Sequence, residues 1–444
     1  MRWLASEIAH AVGGSLHGHD VEVDGATIDS RRVRGGELFV PVRADRDGHA
    51  FVAEAVAAGA SAYLTERTPG AGTAIAVDDT VAALAALGRA ARDRLPDRVV
   101  GITGSAGKTS TKDLLAAALT GPFRPAASER SFNNELGVPL TLVNAPDGTD
   151  AAVVEMGARG AGHIRVLCDI ARPTVGVVTN VGLAHTEMLG SIDGVAHAKA
   201  ELVGALPVSG WAVLNADDER VAAMADSSVA QVLMFGLEHG EVRTTGLTLD
   251  DELRPAFRLV TPWGDADVRL AVRGAHHAAN AVAAAAAGLA VGAGLEEVAS
   301  GLSRARLSPW RMDLTSTVAG GTVLNDAYNA NPASTEAALR ALAALPARRR
   351  VAVLGPMLEL GGYSASEHHR IGELARRLGI DHLVAVGAPG YGGEEVAGVD
   401  DAAALVGVVG PGDAVLVKGS RAAGLERLAK ILVDQPAREK EAQW

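Results

Sequence analysis

The sequence predicts an α/β fold of three domains, and three observations carry that prediction. The chain has 444 residues, and a chain of that length suggests about three domains with sizeable cores. Short apolar runs alternate with alanine- and leucine-rich helical segments, the rhythm of largely parallel sheets covered by helices on both faces. That rhythm restarts twice, which divides the chain into 1–82, 83–312 and 313–444.

In the first unit, residues 3–12 read as a helix, followed by short strands and then TIDSRRVRGGELFVPV. Here Ser30, Arg31 and Arg32 sit in a polar turn before an alternating strand, 38–42. Arginine forks suit diphosphate oxygens, although the same turn could simply be solvated. Residues 49–59 read as a second helix, and 62–64 and 74–77 as strands. An alanine-rich helix over 78–96 bridges to the middle unit. There the strands fall at 99–103, 151–155, 175–179, 211–215 and 231–235. Residues 241–273 read as an antiparallel extension, and 275–291 and 295–302 as helices. After a boundary at 307–313 the pattern resumes with strand 322–325, helix 332–345, strand 350–354 and helix 365–378. It continues through 382–386, 400–409 and 413–417 to a final helix, 422–433. No Gly-x-Gly-x-x-Gly follows any strand, so the dinucleotide fingerprint is absent.

The organising stretch is 99–110, VVGITGSAGKTS. An apolar strand feeds a glycine turn, and Lys108-Thr109 opens a helical segment. Loop amides, a helix dipole and a lysine then converge on phosphates. The strict phosphate-loop pattern needs glycine at 102, where this chain has Ile102. The loop is therefore a variant formed by Thr103, Gly104, Ser105, Ala106, Gly107, Lys108, Thr109 and Ser110. Chance Gly-Lys-Thr sequences and ordinary glycine turns are the bland alternative. With strand before and helix after, the middle unit reads as a parallel-sheet, phosphate-loop ATPase domain.

Composition narrows the remaining classes. A net charge of −12 argues against a nucleic-acid partner, whose phosphates need a basic surface. A lone cysteine, Cys168, excludes an intramolecular disulfide and a multi-cysteine metal cluster and suggests a reducing compartment. Glu7 and His10 interrupt any apolar leader, and the most apolar stretch, 278–295, is mostly alanine and glycine and contains Asn280. A cytoplasmic monomer without stable membrane insertion is expected. The chain has only six lysines, at 108, 112, 199, 418, 430 and 440, against thirty-five arginines. A lysine kept in such a chain marks a site needing a compact ammonium or a nucleophilic amine.

Ligands of open parallel sheets bind at the carboxyl ends of strands. One strand ends at Glu155 and the next runs out to His185, so both could face the loop and ligate Mg²⁺ or Mn²⁺. A helix-start charge and an ordinary loop histidine are the alternatives. Lys199 lies mid-helix with Val195 and Val203 at the positions where an ion-pair partner would stand. It is either an amine kept for chemistry, such as carbamylation by CO₂ into a metal ligand, or a lysine lying along a helix face. The polar strand end Asn325-Asp326-Ala327-Tyr328-Asn329-Ala330-Asn331-Pro332 is a candidate ligand contact or an elaborate helix cap. Lys418 occupies another strand-to-helix turn. Tyr328, Asn329 and Lys418 are candidate substrate contacts. The adjacent pairs His276-His277 and His368-His369 should diverge on their helices, so neither is read as a metal site.

Taken together, these segments resemble the Mur ligase family of ATP-dependent amino-acid-adding enzymes. The stretches that carry the resemblance are TGSAGKT (103–109), SFNNELGVPLTL (131–142), VVEMGARGAGHI (153–164), VGLAHTEMLGS (181–191) and AHAKAEL (196–202). AHHAANAVAAAA (275–286), NDAYNANP (325–332), VLGPMLELG (353–361) and VLVKGSR (415–421) extend it over essentially the whole chain. The family's loop has the form Thr-Gly-x-x-Gly-Lys-Thr, which accounts for Ile102. Arg159, Trp310 and Pro356 depart from the family pattern, which has asparagine, glycine and aspartate there.

The resemblance implies a small N-terminal α/β domain for a UDP-bearing substrate and a C-terminal Rossmann-like α/β ligase domain. It implies joining of D-alanyl-D-alanine to UDP-N-acetylmuramoyl-tripeptide through an acyl phosphate. ATP and Mg²⁺ at two sites would be required. Lys108 and Thr109 would meet the β/γ-phosphates and Mg²⁺, while Glu155, His185 and a carbamate on Lys199 would surround the second metal. Asn280 would contact adenine, with Arg311 and Asp326 reaching ATP. Ser30 and Arg31 would lie near the UDP moiety, and Asn133 and Asn134 near the muramoyl-peptide. The alternative is another ligase of the superfamily, adding a diamino acid or extending a folate. A GTPase is excluded, since none of the six lysines lies in an Asn-Lys-x-Asp motif.

Overall fold

A computed structural model describes residues 1–129, 131–388 and 390–436. Three α/β units follow one another along the chain, each built on its own sheet. The first sheet has five strands in the order Ser15–His17, Thr73–Ala76, Ala62–Thr65, Leu38–Phe39, Ala26–Thr27. Beside it, Arg2–Leu4 pairs antiparallel with Glu22–Asp24. The segment expected to be one helix from residue 3 is thus a strand followed by helix Ala5–Val12. Trp3 faces inward within that strand, and its ring also receives the Arg94 guanidinium at 3.3 Å. The expected helix over 49–59 divides into a 3-10 turn, Gly48–Phe51, and a short helix, Val52–Ala57. The cause is local: Asp47 caps the tighter turn by accepting from the His49 amide at 2.9 Å.

The second sheet has nine strands, and its middle positions the candidate site. Val99–Thr103 runs parallel between Ala151–Glu155 and Val175–Val178, with Ile102 opposite Glu155 and Thr103 opposite Val178. The loop after the first strand therefore lies beside the ends of both neighbours. Helix Lys108–Leu119 packs against the alanine-rich helix His276–Ala290. The latter is buried almost throughout, because alanine lets helix and sheet approach closely. Beyond Gln231–Gly236 comes Val242–Leu249, which pairs with it in parallel before the sheet turns antiparallel through Pro255–Thr261 and Gly264–Arg269. The expected antiparallel extension thus enters the sheet by a parallel pair.

The third sheet orders its six strands Asp313–Ser316, Thr322–Asn325, Asp413–Lys418, Arg349–Leu354, His382–Val386, Glu394–Val396. The stretch 400–409 contributes helix Val399–Val406. Apolar clusters lie on both faces of this sheet, the arrangement expected of parallel strands buried on two sides.

Candidate active site

The phosphate loop is braced by its neighbouring strand end. Asn180 accepts from the Ala106 amide at 2.8 Å through its side chain and from the Ser105 amide at 3.0 Å through its carbonyl. Thr179 donates to the Ala106 carbonyl at 2.6 Å, and Ser105 exchanges bonds with Gly182. Gly107 has φ +83°, and a Cβ there would come within 2.3 Å of the Asn280 side-chain oxygen. Only glycine fits that turn. The first amides of helix Lys108–Leu119 have no intrahelical acceptor, as at any helix start, and they open on the cleft. Lys108 donates to the Gly104 carbonyl at 2.6 Å. Burial lowers its pKa from the ordinary lysine value, partly countered by Glu155. Thr103 is wholly buried with its hydroxyl unpartnered among the described residues, and Ser110 is buried in the first helical turn.

The carboxylate and imidazole at the strand ends face this loop. Glu155 accepts from the Thr109 hydroxyl at 2.7 Å and from the Asn133 amide at 2.8 Å. Its own amide donates to Ser128 Oγ at 3.1 Å, and buried Lys112 donates to the Ser128 carbonyl at 2.7 Å. Asn134 accepts from the Gly137 amide at 2.9 Å, ahead of helix Gly137–Val143. His185 has φ +65°, and its Nδ1 lies 2.5 Å from Glu359 Oε2. That hydrogen bond, with Arg159 and Lys108 nearby, lowers the pKa of Glu359 despite partial burial. Lys199 is buried and makes no hydrogen bond or ion pair among the described residues. Desolvation, then the Lys108 charge, drives its pKa well below the usual range.

Residues beyond 310 close the cleft. Arg311 lies over the Tyr328 ring at 4.2 Å, and the Tyr328 hydroxyl meets Ser131 Oγ. Asn331 donates to the Ser105 carbonyl at 3.2 Å. Asp326 is paired with Lys418 at 2.5 Å, and Lys418 also donates to the Asn329 carbonyl at 2.9 Å. The resulting cleft of about 430 Å³ is lined by the loop, Glu155, His185, Asn280, Arg311, Asp326, Tyr328, Asn329 and Lys418. A second cavity of about 650 Å³ adjoins it, lined by Lys108, Asn133, Asn134, Arg159, Glu359 and Arg421 among others.

Two residues of the N-terminal turn lie in a different setting. Ser30 is buried in the 3-10 turn Ser30–Arg32. Arg31 is bound to Asp29 at 2.8 Å through both Nε and Nη2. A cavity beside this turn is lined by Arg32 and Arg34, and Arg32 reaches Glu129 of the second unit at 2.7 Å.

The histidine pair at 276–277 differs from expectation. Its rings do not diverge but lie 4.1 Å apart, because His276 opens the helix and folds back toward Gly274. Both line the cleft, where burial pushes His276 down to about 4 and His277 well below its usual range. His277 Nδ1 meets the Asn280 amide at 3.1 Å. Sequence reasoning gave no role to this pair, to Asn180 or to Glu359. The position of Asn180 at a strand end was the available signal for it. Glu359 lies five residues beyond its strand, too far for that rule to single it out.

Enzymes that hold a nucleotide on a phosphate loop and close a second α/β unit over it form a broad class of nucleotide-dependent ligases, into which this chain falls. Residues 102–288 match the family model described as the Mur ligase middle domain, and 310–421 match that of the Mur ligase, glutamate ligase domain. The chain belongs to the Mur ligase family. It is 40% identical to UDP-N-acetylmuramoyl-tripeptide--D-alanyl-D-alanine ligase of Mycobacterium tuberculosis, over 96% of this chain and 97% of that one. Among solved structures it is similar to MurF from Acinetobacter baumannii, with TM-score 0.88, 31% identity, and coverage of 98% and 99%. The MurF ligase of Thermotoga maritima in complex with ADP matches with TM-score 0.81 and 28% identity, covering 92% and 97%.

Proposed function

We propose that this chain joins D-alanyl-D-alanine to UDP-N-acetylmuramoyl-tripeptide at the expense of ATP, forming the pentapeptide precursor of peptidoglycan. The observation that carries this reading is the nearly full-length likeness to ligases named for that reaction. We assign the UDP moiety to residues 1–82, with Ser30 and Arg31 near it. ATP falls to 83–312, and dipeptide addition to 313–444.

A carboxylate acylates poorly because oxide would have to leave, so the γ-phosphoryl of ATP is transferred to it first. Two anions must therefore meet. Lys108 and the loop amides hold the phosphates and offset that repulsion. Asn280 contacts adenine, while Arg311 and Asp326 reach the nucleotide from across the cleft. Asn133, Asn134, Tyr328, Asn329 and Lys418 border the peptide, and the dipeptide amine displaces phosphate from the acyl phosphate. The 326–331 segment over the loop limits the access of water to that intermediate.

With a carbamate on Lys199, the donors at this cleft would suit a divalent metal. Thr109 would hold one Mg²⁺ near the phosphates, beside Lys108. No group of three or more His, Cys, Asp or Glu side chains among the described residues could hold a metal. Glu155 and His185 are two donors, and a carbamate on the unpartnered Lys199 amine would supply the third. These residues would hold Mg²⁺, which would supply screening of the charge on the transferring phosphoryl. No helix among the described residues is long and apolar enough to cross a membrane. We take the enzyme to be cytoplasmic and to act as a monomer.

The test is phosphate release with ATP, UDP-N-acetylmuramoyl-tripeptide and D-alanyl-D-alanine, omitting each in turn. Turnover should require all three. Turnover that ignores the dipeptide, or prefers a single amino acid, overturns the reading.

A further inference from the structure

The loop at 355–360 is anchored along almost its whole length. The Gly355 amide donates to the Lys418 carbonyl at 2.8 Å, and the Tyr391 hydroxyl donates to the Gly355 carbonyl at 2.9 Å. The Ser420 amide donates to the Pro356 carbonyl at 3.0 Å. The Met357 amide donates to His368 Nε2 at 3.1 Å, and the Leu358 amide to Ser420 Oγ at 3.0 Å. So thorough a backing fixes what stands at the tip, and the tip is Glu359, held at φ +64°. A non-glycine residue in the left-handed region is sustained only where its surroundings impose it.

The tip meets a second such residue. His185 has φ +65°, and its Nδ1 lies 2.5 Å from Glu359 Oε2. The contact is two-stranded in effect. The Glu187 amide donates to the Glu359 carbonyl at 3.3 Å, and the Thr186 hydroxyl donates to the Leu360 carbonyl at 3.0 Å. Glu359 belongs to the third sheet's unit and His185 to the second, so this contact exists only while the two units are docked. An ionised carboxylate has no proton to give, so the proton of the bond sits on Nδ1. In a neutral imidazole held this way, Nε2 carries the free lone pair that a cation can meet. A carboxylate behind an imidazole fixes the ring's tautomer and direction and raises its basicity as a ligand.

We propose that Glu359 is a positioning residue that sets the His185 ring from the opposite unit, so that His185 becomes a competent cation ligand only when the C-terminal unit is docked. This rests on the assignment of His185 to the second metal. The inference adds that metal affinity and docking of the two units are coupled through one hydrogen bond. The pair His185–Glu359 is thereby a clasp that reports, at the metal, whether the cleft is closed.

The experiment measures Mn²⁺ binding to the full chain with a non-hydrolysable ATP analogue, by electron spin resonance of free Mn²⁺ and by ¹⁴N spin-echo modulation from bound imidazole. Asparagine tolerates the left-handed conformation and is too short to reach the ring, so Glu359→Asn tests the contact without straining the loop. Glu359→Asn should weaken the second Mn²⁺ site by about 10-fold or more and reduce the ¹⁴N signal. Glu359→Gln, which keeps an acceptor within reach, should restore most of both. His185→Ala is the reference for complete loss of the imidazole signal. If His185→Ala changes neither affinity nor modulation, His185 is no ligand, and the metal assignment falls with the inference. If His185→Ala abolishes the signal while Glu359→Asn, shown folded by its melting temperature, binds Mn²⁺ like the parent, the metal assignment stands and the positioning role of Glu359 is overturned.

Discussion

Lys199 and Lys418 are equally closed off from solvent, with 1% and 2% of their surface exposed, and they are held in opposite ways. Lys418 ends a strand of the C-terminal sheet and spends its protons on the Asp326 carboxylate and the Asn329 carbonyl. Lys199 stands in the middle of helix Ile192–Gly204 with no partner among the described residues and Lys108 as its nearest named charge. A buried ammonium without a counter-ion is costly, and burial lowers the pKa of this one well below the usual lysine range. The first lysine therefore fastens a loop, and the second has its ammonium form disfavoured by burial. Burial alone would not have told them apart.

The largest effect expected from this contrast is on activity at Lys199. Lys199→Arg should lose at least about 10³-fold in turnover, roughly 4 kcal/mol of barrier, because guanidinium cannot take up CO₂ as a ligand. The melting temperature of Lys199→Met should stay level or rise, since a buried amine without a partner is replaced by an apolar side chain. A fully active Lys199→Arg enzyme would place both lysines in the same structural category. At Lys418 the expectation reverses. Lys418→Met leaves the partly buried Asp326 carboxylate without its cation and should cost up to about 3 kcal/mol in urea unfolding. Adding Asp326→Leu should recover most of that loss, and a lone Lys418→Met as stable as the parent would break the comparison.

Two smaller effects sharpen it. Trp310 sits at φ +63°, yet its ring carries the Arg421 guanidinium at 4.5 Å. Trp310→Gly should relieve about 1 kcal/mol of backbone strain and forfeit about 0.5–1 kcal/mol of cation–π attraction. The net change in unfolding free energy should stay within about 1 kcal/mol of zero. Asp47 is the solvated counterpart of Asp326. The His49 amide and ring, with Arg67 nearby, hold its carboxyl down to about 2 from 3.8. Its contribution to stability is present above the unfolded value of 3.8 and is lost as pH falls through 2. The difference in stability between the parent and Asp47→Asn should therefore shrink between pH 4 and pH 2, read by acid titration of circular dichroism.

What the sequence made legible was local in origin. The phosphate loop is punctuated by its own glycines, and Glu155 closes a strand that sits beside it in register. The parallel rhythm followed from continuous apolar runs, which is how strands buried on both faces read. What stayed hidden depended on distant partners. Strand Asp313–Ser316 is mostly exposed and offers no apolar alternation, so only its pairing with Thr322–Asn325 makes it a strand. Pro125–Ala127 is an edge strand of three residues that opens on proline, a composition that argues against a strand until its place at the edge is known. Glu359 and His185 stand far apart in sequence, and their meeting is a property of two units docking. The histidines at 276 and 277 were misjudged for the opposite reason: ideal helix geometry was applied where the helix is only beginning.

The scarcity of lysine also decides how this molecule presents itself to amine chemistry. Lys112, Lys199 and Lys418 are shielded, and Lys108 is turned onto the Gly104 carbonyl. The terminal amine is tucked against the Ala145 carbonyl at 2.7 Å. Lys430, exposed on the last helix, is the open amine among the described residues. An activated-ester resin, dye or biotin reagent should therefore attach first at Lys430, on the last helix. Among the described amines, coupling would then be confined to one helix, a result that a lysine-rich surface would not allow.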